Sequence, residues 1–370
     1  MKLMFVVASR PNFMKIAPLI KEAKKRKINF SILYTEQHKS ESMTGIFSRE
    51  LNIPKPDYSL GLKAKVGKLS KNRKLMAFFS SIPHLISILR KDKPDYVIVV
   101  GDVISSAYVA LIAKKIGLNV AHVESGLRSF NNEMPEEKAR IIIDNNSELL
   151  FTTEESANEH LKKEGVNEKK IFFVGNIMID SLSLKLKEAE KLDYYKKFKL
   201  KKKDYAILTF HRHENLNGAY KINKFILFIK EISKKVEIVY PLHPAAKIQF
   251  KKFDKIEELN KIKNIKIIEP VGYLAMLNLM LNSKFVMTDS GGIQEETTFL
   301  KIPCLTLRTE TERPVTVKIG TNTVVGLNKI YCLNKIREIE AGLYKKSSIP
   351  RFWDGKTAER ILEIIKNEKR

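Results

Sequence analysis

Thr288-Asp289-Ser290-Gly291-Gly292-Ile293-Gln294-Glu295-Glu296 is the stretch of this chain whose residue types and spacing most directly imply chemistry. It follows Lys284-Phe285-Val286-Met287, an apolar run that reads as a buried strand, and it leads into a helix start. A strand that breaks at Ser-Gly-Gly and re-enters as a helix leaves backbone N–H groups pointing beyond the helix N-terminus. Those donors, the helix dipole and the Ser290 hydroxyl make an anion site suited to a phosphate. At Gly291 and Gly292 a Cβ would hold the phosphate oxygens away. Glu296 lies six residues after Ser290, roughly 9 Å along a helix at about 1.5 Å per residue. That is the reach from a diphosphate to a ribose, whose paired hydroxyls a carboxylate accepts. The segment reads as a nucleoside-diphosphate site. The plain structural alternative is a helix cap with an acidic first turn.

Other chemistry-bearing residues also follow apolar runs. Ser9-Arg10-Pro11-Asn12-Phe13-Met14-Lys15 places Arg10 in a loop and Lys15 on the first turns of a helix, both within reach of an anion. Val100-Gly101-Asp102 puts a carboxylate at a strand end, or a cap on the next helix. In His122-Val123-Glu124-Ser125-Gly126-Leu127-Arg128, His122 and Glu124 share a face if the strand continues, with Arg128 as a partner for Glu124. Met134-Pro135-Glu136-Glu137 is a helix start with carboxylates in its first turn. Asp102, Glu124 and Glu136 thus offer three carboxylates above one sheet, where crowding creates acid and base partners near neutrality. His211-Arg212-His213-Glu214 opens a later loop, and His243 follows another strand. His-x-His also begins some metal sites, but those need further ligands around an eight-stranded barrel. A histidine that contacts a phosphate or protonates a leaving group is more economical. Arg313, in Thr311-Glu312-Arg313-Pro314, could close over phosphates or sit in a loop salt bridge.

The elements that must position these residues alternate from end to end. Strands are expected at 2–8, 29–34, 95–100, 119–123, 149–152 and 171–174, with helices at 13–26, 70–91, 105–116 and 135–147. Pro18 implies a kink or a later start in the first helix. The rhythm repeats with strands at 205–210, 236–240, 265–268, 284–288 and 303–307, and helices at 273–282, 292–300, 333–344 and 356–368. Such βαβα alternation with continuous apolar strands means parallel, doubly wound sheets. The lysine-dense stretch from Leu182 to Asp204 reads as a solvated helix and loop that ends the first domain. Two α/β domains follow, 1–180 and 204–350. In such sheets ligands bind beyond the carboxyl ends of the strands, which makes Arg10, Asp102, Glu124, His211, His213, His243 and Ser290, the polar residues just after strands, the candidates.

Composition narrows the function. At 370 residues with 44% hydrophobic content, both domains can bury a core. No apolar run reaches the roughly 18 residues of a membrane span, and the N-terminus reads as a first strand rather than a signal peptide. Two cysteines, Cys304 and Cys332, argue against a disulfide framework and for a reducing cytoplasm. The net charge of +25 comes mostly from lysine spread along the chain, without interleaved aromatics. It points to a small anionic substrate rather than to nucleic acid.

The order and spacing of these pieces resemble the non-hydrolysing UDP-N-acetylglucosamine 2-epimerases. Arg10-Pro11, Gln37-His38, Gly101-Asp102, His122 to Arg128, Pro135-Glu136-Glu137, His211-Arg212, Thr288 to Glu296 and Thr311 to Pro314 fall in family order across nearly the whole chain. The resemblance implies two Rossmann-like domains facing across a cleft (GT-B type), with residues 351–370 returning to the first. It implies that Ser290, Gly291 and Gly292 hold the diphosphate, Glu296 the ribose, and Arg10 and Arg313 the charge, with Tyr273 near the uracil. Asp102, Glu124, Glu136 and His211 match its acid–base candidates; which is acid and which base stays open. It also implies a homodimer, a UDP-sugar substrate, and no metal or nicotinamide.

The implied reaction fits these residues. A base removes the proton at C2 while UDP leaves C1, giving 2-acetamidoglucal; UDP then re-adds after protonation on the other face. The alternatives are a hydrolysing epimerase that releases N-acetylmannosamine, an epimerase of a UDP-2,3-diacetamido uronic acid, a glycosyltransferase, and, in another class, an RNA- or polyanion-binding protein. After Gln37-His38, Lys39-Ser40 and segment 63–73 depart from the family's pattern, which implies that activation by UDP-GlcNAc is absent or altered.

Overall fold

The computed structural model of the chain describes residues 1–8, 10–35, 51–61, 71–131 and 133–368. Gln37-His38, Lys39-Ser40 and residues 63–70 fall outside that description, as do the side chains of Arg10, Pro11, residues 71–79 and His213. The described residues form two units, Met1–Leu184 with Arg351–Arg370, and Lys185–Pro350.

In the first unit the apolar runs become strands β1 (Lys2–Val7), β2 (Asn29–Tyr34), β3 (Tyr58–Ser59), β4 (Tyr96–Val100), β5 (Asn119–Ser125), β6 (Leu149–Thr152) and β7 (Ile171–Phe173). They pair in parallel in the order β3-β2-β1-β4-β5-β6-β7. All five residues of β4 are buried, as a central parallel strand covered on both faces requires. The order reverses between β1 and β4, so the loops after these two strands flank the sheet's switch point.

The first helix begins at Arg10, earlier than expected, and runs through Pro18 to Lys25. Proline lacks the N–H that would bond the carbonyl four residues back, that of Met14. The Ser181 hydroxyl donates to that carbonyl instead, so the helix continues. Residues 351–370 pack on this unit: Trp353 is buried and donates from Nε1 to the Thr153 carbonyl at 3.0 Å. Asp180 caps the helix Thr357–Glu368 by accepting from the amides of Thr357 (3.1 Å) and Ala358 (2.8 Å).

The second unit repeats the plan. Strands β8 (Tyr205–Thr209), β9 (Glu237–Pro241), β10 (Ile265–Ile268), β11 (Phe285–Thr288), β12 (Cys304–Thr306) and β13 (Asn322–Val324) pair in parallel in the order β10-β9-β8-β11-β12-β13. Here the switch point lies between β8 and β11, where Thr209 and Thr288 are partners with hydroxyl oxygens 2.5 Å apart. The lysine-dense segment is not wholly solvated. Ala189, Tyr195 and Leu200 are buried, and Asn278 Nδ2 donates to the carbonyls of Ala189 (3.0 Å) and Leu192 (2.7 Å). The helix expected at 333–344 starts earlier, at Lys329, because the Asn328 side chain caps it by accepting from the Tyr331 amide.

Cys304 and Cys332 are buried, and desolvation pushes each thiol up to about 12. Among the described residues no helix is long and apolar enough to cross a membrane.

Candidate active site

In the first unit the turn after β4 is set by Gly101, whose φ of +73° favours glycine. A Cβ there would sit 3.0 Å from Lys15 Nζ and 3.5 Å from Glu124 Oε2, so the glycine also makes room for that pair. Glu124 does not continue the strand. The β5–β6 register shifts between Val123 and Ser125, leaving Glu124 as the extra residue of a bulge at φ 72°. Holding a non-glycine residue there costs roughly 1–3 kcal/mol, a kind of strain that clusters at functional positions. The bulge breaks the alternation that would have put His122 and Glu124 on one face. Glu124, nearly buried, takes the Lys15 ammonium. His122, fully buried, places Nδ1 2.6 Å from Asp144 Oδ1 and Nε2 2.8 Å from the Gly101 carbonyl oxygen.

Arg128 is not the partner of Glu124. It pairs with Asp144 at 2.7 Å and Glu164 at 2.6 Å. Burial alone would raise the Asp144 carboxyl, but His122 and Arg128 outweigh it and hold it below its ordinary range. Asp102 is partly exposed and is held by Arg140, whose Nη1 also donates to Glu137 Oε2 at 3.2 Å. Arg140 is buried, and its Nε has no partner among the described residues. In the first turn of the helix Pro135–Asn145 the two carboxylates divide. Glu137 is buried and accepts from the amides of Ser129 (2.9 Å) and Phe130 (3.2 Å). Glu136 is exposed, and among the described residues no hydrogen bond or ion pair joins it to Asp102 or Glu124.

In the second unit the helix Gly291–Phe299 starts directly at the switch point. The Ser290 amide donates to Thr288 Oγ1 at 2.9 Å, so the outward donors are the next amides, those of Gly291, Gly292 and Ile293. Gly291 is not in the left-handed region, and among the described residues an added Cβ would meet only Arg313 Cγ, at 4.0 Å. The fold itself therefore does not require glycine at 291. Arg313 is buried beside it, with Nε on Glu295 Oε1 at 2.5 Å. Two more arginines sit near: Arg308 and Arg212 reach Glu312 Oε1 at 3.2 and 3.3 Å. Glu296 is buried and accepts from the Tyr273 hydroxyl at 3.1 Å. Desolvation pushes its carboxyl up to about 7, helped by Glu295 and opposed by the Tyr273 bond.

The loop after β8 brings His211 to the same place. Its Nδ1 lies 3.2 Å from Asp289 Oδ1, and its ring packs 4.9 Å from that of His243. His243 caps its own helix, with Nδ1 accepting from the Ala245 amide at 3.2 Å. Among the described residues no three His, Cys, Asp or Glu side chains converge as metal ligands.

Comparison with known proteins adds to this geometry. The sequence model of the UDP-N-acetylglucosamine 2-epimerases matches residues 21–366. The UDP-N-acetylglucosamine 2-epimerase of Methanocaldococcus jannaschii is 40% identical, with 99% of each chain covered. The chain belongs to the UDP-N-acetylglucosamine 2-epimerase family.

A solved structure of the M. jannaschii UDP-GlcNAc 2-epimerase, in complex with UDP-GlcNAc and UDP, superimposes with a TM-score of 0.87 at 40% identity, covering 99% of this chain and 100% of that one. A UDP-2,3-diacetamido-2,3-dideoxy-D-glucuronate 2-epimerase of Pseudomonas aeruginosa is also similar, 36% identical with 99% of each chain covered.

In this epimerase the expected residues gather in two groups, one at each switch point. Lys15, Asp102 and Glu124 lie in the first; His211, His243, Ser290, Gly291, Gly292 and Arg313 lie in the second, with Glu296 and Tyr273 further along. The Tyr273 hydroxyl is committed to Glu296. Arg10 heads the first helix, and its side chain lies outside the described residues. Arg140 and Arg308 were not anticipated. Arg140 falls one helical turn after Glu136, and Arg308 follows a strand directly. Helical spacing and the strand-end rule could therefore have found them.

Proposed function

We propose that this enzyme interconverts UDP-GlcNAc and UDP-ManNAc without net hydrolysis. One observation carries the reading. The helix Gly291–Phe299 opens at a switch point, a buried arginine flanks its first residue, and a buried carboxylate follows one and a half turns on. This arrangement suits a nucleoside diphosphate: the amides of Gly291, Gly292 and Ile293 with Arg313 for the phosphates, and Glu296 for the ribose. Tyr273 fixes the orientation of Glu296. A glycine that the fold does not demand is what a close-lying phosphate would require.

In the reaction a carboxylate of the first unit takes the proton from C2. The C2–H electron pair becomes the C1–C2 double bond, and the C1–O pair leaves on UDP. The diphosphate site and His211 stabilise the charge on that oxygen. Protonation of the glucal at C2 on its other face, with return of the UDP oxygen to C1, gives the epimer. Lys15 beside Glu124 and Arg140 beside Asp102 give two carboxylates different environments, as opposed proton carriers need. Glu136 and Arg10 complete the proposed set, with Arg10 on the diphosphate. On this reading the enzyme is a cytoplasmic homodimer that uses neither metal nor nicotinamide.

Proton NMR of UDP-GlcNAc with the enzyme in D2O tests the reading. The expected result is UDP-ManNAc with deuterium at C2 and no free sugar. Release of N-acetylmannosamine would make the enzyme hydrolysing. An unchanged spectrum with turnover of a UDP-2,3-diacetamido uronic acid would move it to the reaction of its Pseudomonas relative.

A further inference from the structure

Asp289 and His211 leave the second sheet side by side, from the ends of β11 and β8. One carboxylate oxygen of Asp289 is fully used. Oδ2 accepts from the amides of His211 (2.9 Å) and Arg212 (2.8 Å) and from Asn215 Nδ2 (3.1 Å). The other oxygen, Oδ1, is buried and makes no hydrogen bond among the described residues; its polar neighbour there is His211 Nδ1, 3.2 Å away. A carboxylate oxygen only accepts, so the contact is favourable when Nδ1 carries a hydrogen. In a neutral ring that leaves Nε2 bare, and in the charged ring it leaves Nε2–H to give away. The His243 ring packs against this one at a tilt of 38°, and its Nδ1 takes the Ala245 amide. The charges nearby, Arg212 with Glu214 and Glu312, pair among themselves.

We propose that Asp289 is the positioning residue of His211, fixing the imidazole with hydrogen on Nδ1 so that Nε2 is its proton carrier toward the substrate. This rests on the epimerase reading, in which His211 faces the departing UDP oxygen. While the ring holds the proton destined for that oxygen, Nδ1–H faces Asp289 Oδ1 and Nε2–H faces the substrate. After the transfer the neutral ring keeps Nδ1–H, so nothing in the loop need rearrange. An asparagine at 289 would keep one acceptor for the backbone amides but could present an N–H to Nδ1. That would move the ring hydrogen to Nε2.

Nitrogen-15 NMR of histidine-labelled protein, at a pH where the ring is neutral, tests the pairing. His211 is assigned by the signal lost in His211→Asn. The expected wild-type pattern is a protonated Nδ1 and a bare Nε2, reversed in Asp289→Asn. In turnover of UDP-GlcNAc, kcat of Asp289→Asn should fall about 10- to 100-fold, with KM within about threefold. On a His211→Asn background the same change should cost no further activity. A wild-type ring protonated at Nε2, or additive losses in the double variant, would overturn the proposal. If Asp289→Asn does not fold, the wild-type pattern alone decides. The NMR reading needs no turnover. Failure of UDP-GlcNAc as a substrate would sink the UDP-GlcNAc reading, while the nitrogen-15 pattern would still uphold or overturn the pairing.

Discussion

Gly291 carries the sharpest consequence at the scale of single residues. Its backbone is not left-handed, and a Cβ would find open space apart from Arg313 Cγ at 4.0 Å. By the physics of the free protein, Gly291→Ala should be neutral or stabilising by up to about 1 kcal/mol, since alanine is the better helix former. By the physics of the proposed complex, the same methyl group should stand where a phosphate oxygen lies. The expected outcome is an unchanged or higher Tm together with a Kd for UDP weakened at least about tenfold. Calorimetric titration and a thermal melt measure both; UDP binding as tight as in the wild type would place the phosphate elsewhere. The motif was legible in the sequence because strand, glycines and helix are contiguous. Its limits were legible only in part. A threonine two residues before Ser290 is a local cue that its amide is spent, but nothing local says that the Tyr273 hydroxyl, 23 residues away, is spent on Glu296.

At the scale of elements, strand and helix types were largely readable, because buried parallel strands are continuous apolar runs. What escaped was set by side chains distant in sequence. Ser181 supplies the donor for the Met14 carbonyl that Pro18 cannot, 167 residues away, and the bulge at Glu124 shows only in the pairing of β5 with β6. The return of residues 351–370 to the first unit hinges on a similar close approach. Gly175, just beyond β7, has φ +95°, and a Cβ there would lie 2.1 Å from the Phe352 carbonyl oxygen. Gly165 has φ +80° but nothing within 4 Å of its Cβ position. Gly165→Ala should therefore cost only backbone strain, about 1 kcal/mol. Gly175→Ala adds a backbone collision and should cost at least about 2 kcal/mol more. Urea unfolding of the two variants gives the difference; equal costs would mean that Phe352 yields freely and the packing on Gly175 is not tight.

For the whole molecule, the buried carboxylates fix how stability depends on pH. Burial raises Asp180 of the first unit to about 6 and Glu296 of the second to about 7. A carboxyl with a raised folded pKa contributes stability that is present below its unfolded value, near 4, and is lost as the pH climbs through the folded one. Asp144 and Asp289 are lowered: burial opposes their ionisation, but His122 with Arg128, and His211 with the loop amides, outweigh it. Their contribution is present above about 4 and is lost on further acidification. The two pairs pull in opposite directions, so the free protein should be most stable where the windows meet, near pH 4 to 4.5. It should then lose stability toward pH 8. Glu296→Gln keeps an acceptor for the Tyr273 hydroxyl but has no proton to lose. It should match the wild type near pH 4 and be more stable at pH 8, by up to roughly 3 kcal/mol for a shift of this size. The same substitution should weaken UDP binding, because a neutral amide is a poorer acceptor for two ribose hydroxyls than a carboxylate. Melting curves from about pH 4 to 8.5 decide the matter. Parallel wild-type and Glu296→Gln profiles would mean that Glu296 ionises in the folded protein as readily as in the unfolded chain, and that the carboxylate is held ready for the ribose at no cost to the fold.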